Sequence, residues 1–294
     1  MLIAHTTKSN SVAGASAADR TSAGGLLDAC VAADTDSTFR PAEGPRQAAR
    51  SQRTGRRARG PAHRAGPRRR ARYRARIAPE PLVHQLRPAA GEPAGALILL
   101  HGRGADEYDL LSVLDALDPE QRLIGVTPGA PLAGPGGGRW WYHVPRVGFP
   151  DPTTLQATYA QLTAFLDGWL AEQDLGWERT IIGGFSMGCV MSYATGLGPG
   201  RPSPAGILAM SGFIPTVEGW EPELESRRDL PVLITHGAND PVISVEFARD
   251  ARGMLLDAGV DVDYHEHDGG HHLDRGTVSL MQGWVGARVA AFAP

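Results

Sequence analysis

The chain has 294 residues, a formal net charge of −3, 42% hydrophobic residues and two cysteines. Two cysteines imply no disulfide framework, and no run approaches the roughly 18 consecutive apolar residues of a membrane span, so both of those protein classes are excluded. The net charge conceals an asymmetry, because residues 1–80 hold 16 Lys+Arg against 6 Asp+Glu and residues 81–294 hold 13 against 26. We therefore predict two unlike parts of the chain, divided near residue 80.

Residues 1–80 are the basic part, and Arg46–Arg76 is a tract of arginine, alanine, glycine and proline with almost no large apolar side chain. Such a segment cannot bury enough surface to offset the entropy of ordering it, so we predict a disordered leader. Only Tyr73 interleaves an aromatic ring with the arginines, which disfavours a nucleic-acid partner. A polyanion-binding arm and a start codon assigned too early are the alternatives for this part.

Residues 81–294 alternate strand-like apolar runs with helical patterns. This alternation predicts an α/β domain whose mainly parallel sheet is covered by helices on both faces. The predicted strands, in chain order, are Ala96–Leu100, Leu123–Val126, Thr180–Ile182, Ile207–Met210, Pro231–Thr235 and Val260–His267. Asp151-Pro152 predicts the start of a long helix, with an N-cap and a proline at the first helical position. In the final helix, Leu280, Trp284 and Val289 are expected on one buried side.

Directly after the strand Thr180–Ile182 comes the pentapeptide Gly184-Phe185-Ser186-Met187-Gly188, which has the pattern G-x-S-x-G. A strand, a sharp turn that carries a serine and then a helix make a nucleophile elbow, in which the serine is strained and exposed to substrate. The flanking positions are glycine because a Cβ there would collide with neighbouring backbone. We predict that Ser186 is the nucleophile of a hydrolase.

An acid and a histidine follow Ser186 in the chain order of an α/β-hydrolase. Asp240 comes after the predicted strand Pro231–Thr235, and His271 comes after Val260–His267. A serine hydroxyl is a poor nucleophile and needs a base to remove its proton. We therefore predict His271 as that base and Asp240 as the group that orients its ring and stabilises the imidazolium.

Asp268 is the alternative for the acid, and the alternatives for the base are His265, His267 and His272. Asp268 lies so near the histidine loop that a hydrogen bond to the ring would be cramped, and His272 is expected to begin the following helix. The cluster could also be interpreted as a metal site formed by His265, His267, Asp268, His271 and His272. Its spacing is irregular and no ligands lie upstream, so we predict no metal.

The oxyanion of the tetrahedral intermediate needs two backbone donors. One is expected from the residue after the serine, Met187, and the other from Arg103 in the loop that follows the strand Ala96–Leu100. Because both donors are main-chain N–H groups, their side chains are nearly free to vary. His101, at the start of that loop, is expected to brace it.

These residues together resemble the phospholipase/carboxylesterase family of α/β-hydrolases, which includes acyl-protein thioesterases and small bacterial carboxylesterases. The resemblance covers about residues 81–294 and depends on five motifs, namely Leu99–Asp106, Pro128–Pro131, Gly183–Gly188, His236–Pro241 and Gly270-His271. It implies a serine hydrolase with no metal or organic cofactor. One departure is Met187, where the family often has glutamine, and this departure predicts the loss of that side chain's polar contacts.

An aromatic patch made of Trp140, Trp141, Tyr142 and Phe149 precedes the long helix. In the resembling enzymes this region lines the acyl pocket, so we predict that these four residues bind substrate. Packing in the core or in a lid is the alternative. If the patch binds an acyl chain, each buried methylene should contribute about 0.8 kcal/mol.

The sequence therefore predicts a serine hydrolase that cleaves carboxylic esters or thioesters of small to medium acyl chains through an acyl-enzyme on Ser186. A lysophospholipase or a protein depalmitoylase with the same triad is the first alternative. The second is a polyanion-binding protein with an inactive hydrolase fold. We expect a cytoplasmic monomer or homodimer whose partner is a small-molecule ester or thioester.

Overall fold

A computed structural model describes residues 81–292 of the chain. The predicted basic leader, residues 1–80, lies outside the described residues, so its division from the rest stays a prediction. The strands are β1 (His84–Arg87), β2 (Gly95–Leu100), β3 (Leu123–Pro128), β4 (Leu132–Ala133), β5 (Arg139–Trp140), β6 (Thr180–Phe185), β7 (Gly206–Met210), β8 (Pro231–Gly237) and β9 (Asp261–His267). The α-helices are α1 (Leu111–Leu117), α2 (Pro152–Glu172), α3 (Met187–Gly196), α4 (Glu246–Asp257) and α5 (Arg275–Ala290).

Seven strands form one sheet in the order β1-β3-β2-β6-β7-β8-β9, and β4 pairs with β5 in a separate two-stranded ribbon. Only β1 runs antiparallel to its neighbour in the seven-stranded sheet; each of the other pairings is parallel. The predicted α/β architecture with a mainly parallel sheet is therefore confirmed. The sequence analysis missed β1, because its four residues, His-Gln-Leu-Arg, form no apolar run.

The sheet is covered by helices on both faces, and β2 shows how the sequence achieves this. Its side chains alternate between the faces, so that Ile98 packs in one buried cluster with α2, α3 and α4, while Leu97 and Leu99 pack in another with α1 and α5. A strand buried on both faces must be apolar throughout, which is why β2 reads as a continuous hydrophobic run. Each large side chain buried in this way contributes about 1.5–3 kcal/mol relative to exposure.

The long helix α2 begins as its sequence predicts. Asp151 is the N-cap and accepts a hydrogen bond from the Thr154 N–H at 2.8 Å, and Pro152 occupies the first turn. The buried side of α5 differs from the predicted one. Leu280 is 38% exposed, whereas Met281 is fully buried beside Trp284. Trp284 and Val289 are buried, but grouping Leu280 with them was wrong, because the nine residues from Leu280 to Val289 make about 2.5 turns and put the two on opposite sides of the helix.

The order of the strands places the site. In the sheet, β3 lies next to β2 on one side and β6 lies next to β2 on the other, so the chain reverses direction across the sheet after β3. Loops that leave two adjacent strands in opposite directions open a crevice at the carboxyl edge of a parallel sheet. The loop after β2 and the turn after β6 border this crevice. No helix of residues 81–292 is long and apolar enough to cross a membrane.

Candidate active site

Ser186 stands in the sharp turn between β6 and α3. Its φ of 55° and ψ of −118° put a residue with a Cβ in the left-handed region, which costs of order 1–3 kcal/mol and is typical of functional positions. The Ser186 N–H continues the sheet by donating to the Met210 carbonyl at 2.9 Å. The strain is therefore maintained by the strand before the serine and by the helix after it.

The two glycines of the pentapeptide allow the backbones to pack at this turn. A Cβ on Gly188 would collide with the Leu100 carbonyl oxygen and would lie 2.6 Å from that of His101. A Cβ on Gly184 would lie 2.7 Å from Ser192 Oγ and would collide with the Gly188 backbone. The first turn of α3 thus packs directly against the end of β2, as only glycine permits.

The loop after β2 lies beside the serine. A Cβ built on Gly102 would stand 3.6 Å from the Cβ of Ser186, in ordinary van der Waals contact. Arg103 follows it, and its guanidinium carbon lies 5.4 Å from the centre of the Trp140 ring. On the other side of the serine, Met187 is the first residue of α3, where backbone N–H groups have no partner within the helix. Two candidate oxyanion donors therefore flank Ser186.

His101 braces this loop with both ring nitrogens. Its Nδ1 donates to the Gly102 carbonyl at 2.7 Å, and its Nε2 accepts a hydrogen bond from the Ala130 N–H at 3.0 Å. Burial lowers the pKa of His101 from 6.5 to about 4, so the ring is neutral at neutral pH and can keep one donor and one acceptor. The indole N–H of Trp141 also donates to the His101 carbonyl, at 2.9 Å.

Ser186, His271 and Asp240 are brought together by the ends of three strands. His271 Nε2 lies 2.9 Å from Ser186 Oγ, and His271 Nδ1 lies 2.6 Å from Asp240 Oδ2. The Asp240 side chain is fully buried, and that of His271 is 14% exposed. The His271 ring also packs against Phe185, with 4.8 Å between the ring centres. The three side chains thus form one continuous hydrogen-bonded chain from the cleft to the interior.

Both carboxylate oxygens of Asp240 accept hydrogen bonds. Its Oδ1 accepts from the backbone N–H groups of Val242 at 2.8 Å and Ile243 at 2.9 Å. Besides His271, the buried His236 approaches Oδ2, with its Nε2 at 3.4 Å while it donates to the Ile243 carbonyl at 2.9 Å. Burial alone would raise the pKa of Asp240, but the hydrogen bonds from the two histidines and from Ile243 outweigh it and hold the pKa well below its usual value. Asp240 is therefore ionised throughout the physiological range.

The alternative residues lie elsewhere. Asp268 is exposed, and its carbonyl accepts a hydrogen bond from the Asn239 side chain at 2.8 Å. His272 packs edge-on against His267, with 5.7 Å between the rings, and His267 Nδ1 is 3.1 Å from Asp274. α5 begins only at Arg275. Within residues 81–292, no group of three or more His, Cys, Asp or Glu side chains is arranged to hold a metal ion.

An open cleft with a largely apolar lining lies at Ser186. Of the four aromatic residues predicted to bind substrate, the structure places Tyr142 in its wall and Phe149 at its rim, the latter 52% exposed. Trp140 and Trp141 do not line it. Trp141 is fully buried, because its indole is directed back beneath the loop that follows β2.

Sequence reasoning missed most of the apolar wall, which is formed by Val144, Phe213, Val242 and Ile243. Two of them could have been predicted from the sequence, because Val242 and Ile243 lie two and three residues after Asp240 and their N–H groups bind its carboxylate. Phe213 gives no such signal, since it enters the cleft only through the parallel pairing of β7 with β6.

The Met187 side chain has a polar contact of its own. The Trp141 backbone N–H donates to Met187 Sδ at 3.2 Å, in the buried layer under the cleft. A thioether sulfur is a weak acceptor, but it is adequate for a single backbone donor. This contact joins Met187 to the segment that carries Tyr142, and the expected loss of a glutamine's own contacts stays a prediction.

Known proteins share this arrangement of motifs and strands. The family model described as Phospholipase/Carboxylesterase matches residues 84–285, which is more than half of the chain. The chain belongs to this family.

Two relatives are similar to this member of the phospholipase/carboxylesterase family over most of their own length. It is 26% identical to an acyl-protein thioesterase 1 from Yarrowia lipolytica, over 63% of this chain and 87% of the relative. It is 29% identical to the putative hydrolase MhqD from Bacillus subtilis, over 66% of this chain and 94% of the relative. The resemblance inferred from the motifs is confirmed, and the protein is a hydrolase enzyme.

Solved structures agree with the fold. The crystal structure of esterase PE8 matches with a TM-score of 0.61 and 27% identity, over 70% of this chain and 99% of that one. A carboxylesterase from Bacillus cereus matches with a TM-score of 0.62 at 22% identity, over 70% and 94% of the two chains. The α/β-hydrolase fold predicted from the order of the motifs is confirmed.

Proposed function

We propose that the protein is a serine hydrolase that cleaves carboxylic esters or thioesters of small to medium acyl chains through an acyl-enzyme on Ser186. The observation that carries the proposal is the chain of hydrogen bonds from Ser186 to His271 at 2.9 Å and from His271 to Asp240 at 2.6 Å. Nucleophile, base and orienting acid in this order are what acyl transfer to a serine requires.

In the first half of the reaction, Ser186 Oγ attacks the carbonyl carbon of the substrate while His271 Nε2 takes the hydroxyl proton. Asp240 accepts the Nδ1–H of the resulting imidazolium, which stabilises its positive charge. Collapse of the tetrahedral intermediate breaks the bond to the alcohol or thiol, and His271 gives its proton to that leaving group. Ser186 is left as an acyl ester.

In the second half, water enters in place of the leaving group. His271 takes one proton from this water, whose oxygen attacks the acyl carbon and forms a second tetrahedral intermediate. This intermediate expels Ser186 Oγ, which recovers its proton from His271. The products are a carboxylic acid and free enzyme, so that one water is consumed for each ester or thioester cleaved.

The main-chain N–H groups of Arg103 and Met187 are proposed to bind the oxyanion in both intermediates. Met187 begins α3, and a helix N-terminus carries a partial positive charge that favours an anion. The position of Gly102 against Ser186 brings the loop with Arg103 to the same carbonyl. Each such donor contributes about 2.7–4 kcal/mol to the transition state.

The cleft supports an apolar acyl group. Its wall of Val144, Phe213 and Ile243 suits a hydrocarbon chain, which Tyr142 and Phe149 also contact in this proposal. Each methylene that the wall buries adds about 0.8 kcal/mol, close to a fourfold gain in kcat/KM. Rates should therefore rise with chain length until the cleft is full.

A thioester substrate, as in a depalmitoylase, is the second candidate, and the relative named acyl-protein thioesterase 1 favours it. The same residues would act on either bond, since only the leaving group differs. The alternative with an inactive hydrolase fold is disfavoured by the complete hydrogen-bonded chain, because an inactive relic would not need to keep it.

The test is hydrolysis of p-nitrophenyl esters from acetate to decanoate by wild type and by Ser186→Ala, together with labelling by a fluorophosphonate. We expect a rate with an optimum in acyl length, lost by several orders of magnitude in Ser186→Ala. Ser279→Ala is the matched control, because this exposed serine of α5 does not line the cleft. Equal rates in wild type and Ser186→Ala, or no turnover and no labelling of wild type, would refute the proposal.

A further inference from the structure

The cleft at Ser186 is apolar in its wall but carries two arginines and no acid. Arg103 and Arg146 both line it, and none of the described residues that line it is Asp or Glu. Its only other polar side chains are those of Ser186 and Tyr142. An anionic group that entered this cleft would therefore meet cations and no like charge.

Arg146 is oriented by its neighbours. Its guanidinium carbon lies 3.6 Å from the centre of the Phe149 ring, and its carbonyl accepts a hydrogen bond from the Phe149 N–H at 2.9 Å. Between them, Gly148 has a φ of 82° and faces the Phe247 ring so closely that a Cβ would collide with it. The turn that carries Arg146 is therefore seated against α4.

A guanidinium stacked on a ring keeps its N–H donors in the plane of the fork, free to bind a carboxylate in a bidentate manner. Several arginines of the domain are already paired with a carboxylate. Arg139 pairs with Glu107, Arg201 with Asp167 and Arg249 with Glu266. Within residues 81–292, Arg146 forms no ion pair with an Asp or Glu side chain. A cation at the mouth of a catalytic cleft is thus left without an internal anion.

We propose that Arg146 binds the free carboxylate of an acyl chain that ends in one, so that the preferred substrates are monoesters or monothioesters of aliphatic dicarboxylic acids. This inference rests on the proposed function, because it assigns the substrate class of the same site. The methylenes of the acyl chain lie against the apolar wall, the scissile carbonyl meets Ser186, and the terminal carboxylate reaches the guanidinium at the rim. Hydrolysis then releases a dicarboxylate.

The experiment compares two esters of equal acyl length, mono-p-nitrophenyl adipate and p-nitrophenyl hexanoate, which differ only in a terminal carboxylate or methyl group. We expect wild type to favour the adipate by roughly tenfold in kcat/KM, as a charge-assisted hydrogen bond predicts, and this ratio to fall as ionic strength rises. Arg146→Gln should abolish the preference, and Arg146→Lys should retain part of it, since a lysine keeps the charge without the planar fork.

Arg252→Gln is the matched control. Arg252 is also exposed and stacked on a ring, with its guanidinium carbon 5.1 Å from the centre of Tyr264, but it does not line the cleft. The same loss of charge there should leave the adipate-to-hexanoate ratio as in wild type. A fall of the adipate-to-hexanoate ratio in Arg146→Gln alone supports a direct contact between Arg146 and the carboxylate. An equal fall of the ratio in both variants would overturn that contact, because the net charge of the domain would then explain the preference.

The two proposals fail in distinguishable ways. Hydrolysis of both esters without a preference for the adipate, or with a preference that persists in Arg146→Gln, overturns the role of Arg146 and leaves the serine hydrolase in place. Hydrolysis of neither ester, with no fluorophosphonate labelling of Ser186, overturns both proposals together. The ratio within each variant also corrects for differences in the fraction of folded protein.

Discussion

The proposed reaction centre and the rim of its cleft are adjacent in space but are held in different ways. At the centre, the Asp240 side chain is fully buried and both of its oxygens accept hydrogen bonds, while Ser186 is 9% exposed. At the rim, Phe149 is 52% exposed and the turn with Arg146 is held by one backbone hydrogen bond and ring contacts. The contrast implies that the chemistry of the enzyme tolerates little change, whereas its choice of substrate can vary through exposed residues.

The largest effect should come from the buried end of the proposed triad. Asp240→Asn keeps the shape of the side chain but removes the charge that stabilises the imidazolium, and the proposed mechanism predicts a fall in kcat of about 10⁴-fold, or 5.5 kcal/mol. Steady-state ester hydrolysis measures it. Asp268→Asn, at the exposed alternative position, should change kcat by less than about twofold; a large loss there and none in Asp240→Asn would reverse the assignment.

Substitution of Gly188 in the backbone turn at Ser186 should have the next largest effect. Gly188→Ala places a Cβ against the Leu100 carbonyl, and we expect unfolding to become easier by about 3 kcal/mol because two backbone segments must separate. Gly283→Ala is the control, since this exposed glycine of α5 has no atom within 4 Å of an added Cβ. It should gain about 0.5–1 kcal/mol from helix propensity. Urea titrations give the free energy of unfolding of both variants, and equal values would contradict the predicted difference between them.

The brace under the oxyanion loop should make stability depend on pH. The unfolded chain protonates His101 near pH 6.5 but the folded chain only near its pKa of about 4, so the stabilisation is complete above pH 6.5 and is lost as pH falls toward 4. A pKa lowered from 6.5 to about 4 corresponds to a loss of about 3.4 kcal/mol. His101→Gln can keep a donor and an acceptor but cannot titrate, so the pH dependence of its unfolding should be flatter by that amount. Parallel curves for the two proteins would be inconsistent with a buried neutral histidine.

The smallest expected effect is a change in the preferred acyl length on substitution of Phe213, in the wall of the cleft. Phe213→Ala widens the cleft, and the optimum acyl length should shift to longer esters, with about a fourfold change in relative kcat/KM for each methylene newly accommodated. The p-nitrophenyl ester series measures this shift. Trp141→Phe removes a buried ring outside the cleft, so it should lower stability without moving the optimum. A shift in Trp141→Phe and none in Phe213→Ala would restore the original assignment of the tryptophan.

Much of the site could be predicted from the sequence because its residues directly follow strands. The carboxyl ends of parallel strands meet at one edge of a sheet, so the order of the motifs was enough to expect Ser186, Asp240 and His271 near one another. The tryptophans show the limit. The pattern identified an aromatic patch at Trp140 and Trp141, but which rings face the cleft depends on the β4–β5 ribbon, two short strands that no periodicity predicts.

The sequence by itself determined the fold class, the family and the order of the proposed triad, because apolar periodicity and short glycine motifs encode strands, turns and close backbone approaches locally. Only the tertiary structure decided the wall of the cleft, the contact between Met187 and Trp141, and the position of Arg146 over Phe149 at the rim. Contacts of this second kind join segments that are distant in the chain. They are set by how helices and loops pack on the sheet, and no local pattern of residues records that packing.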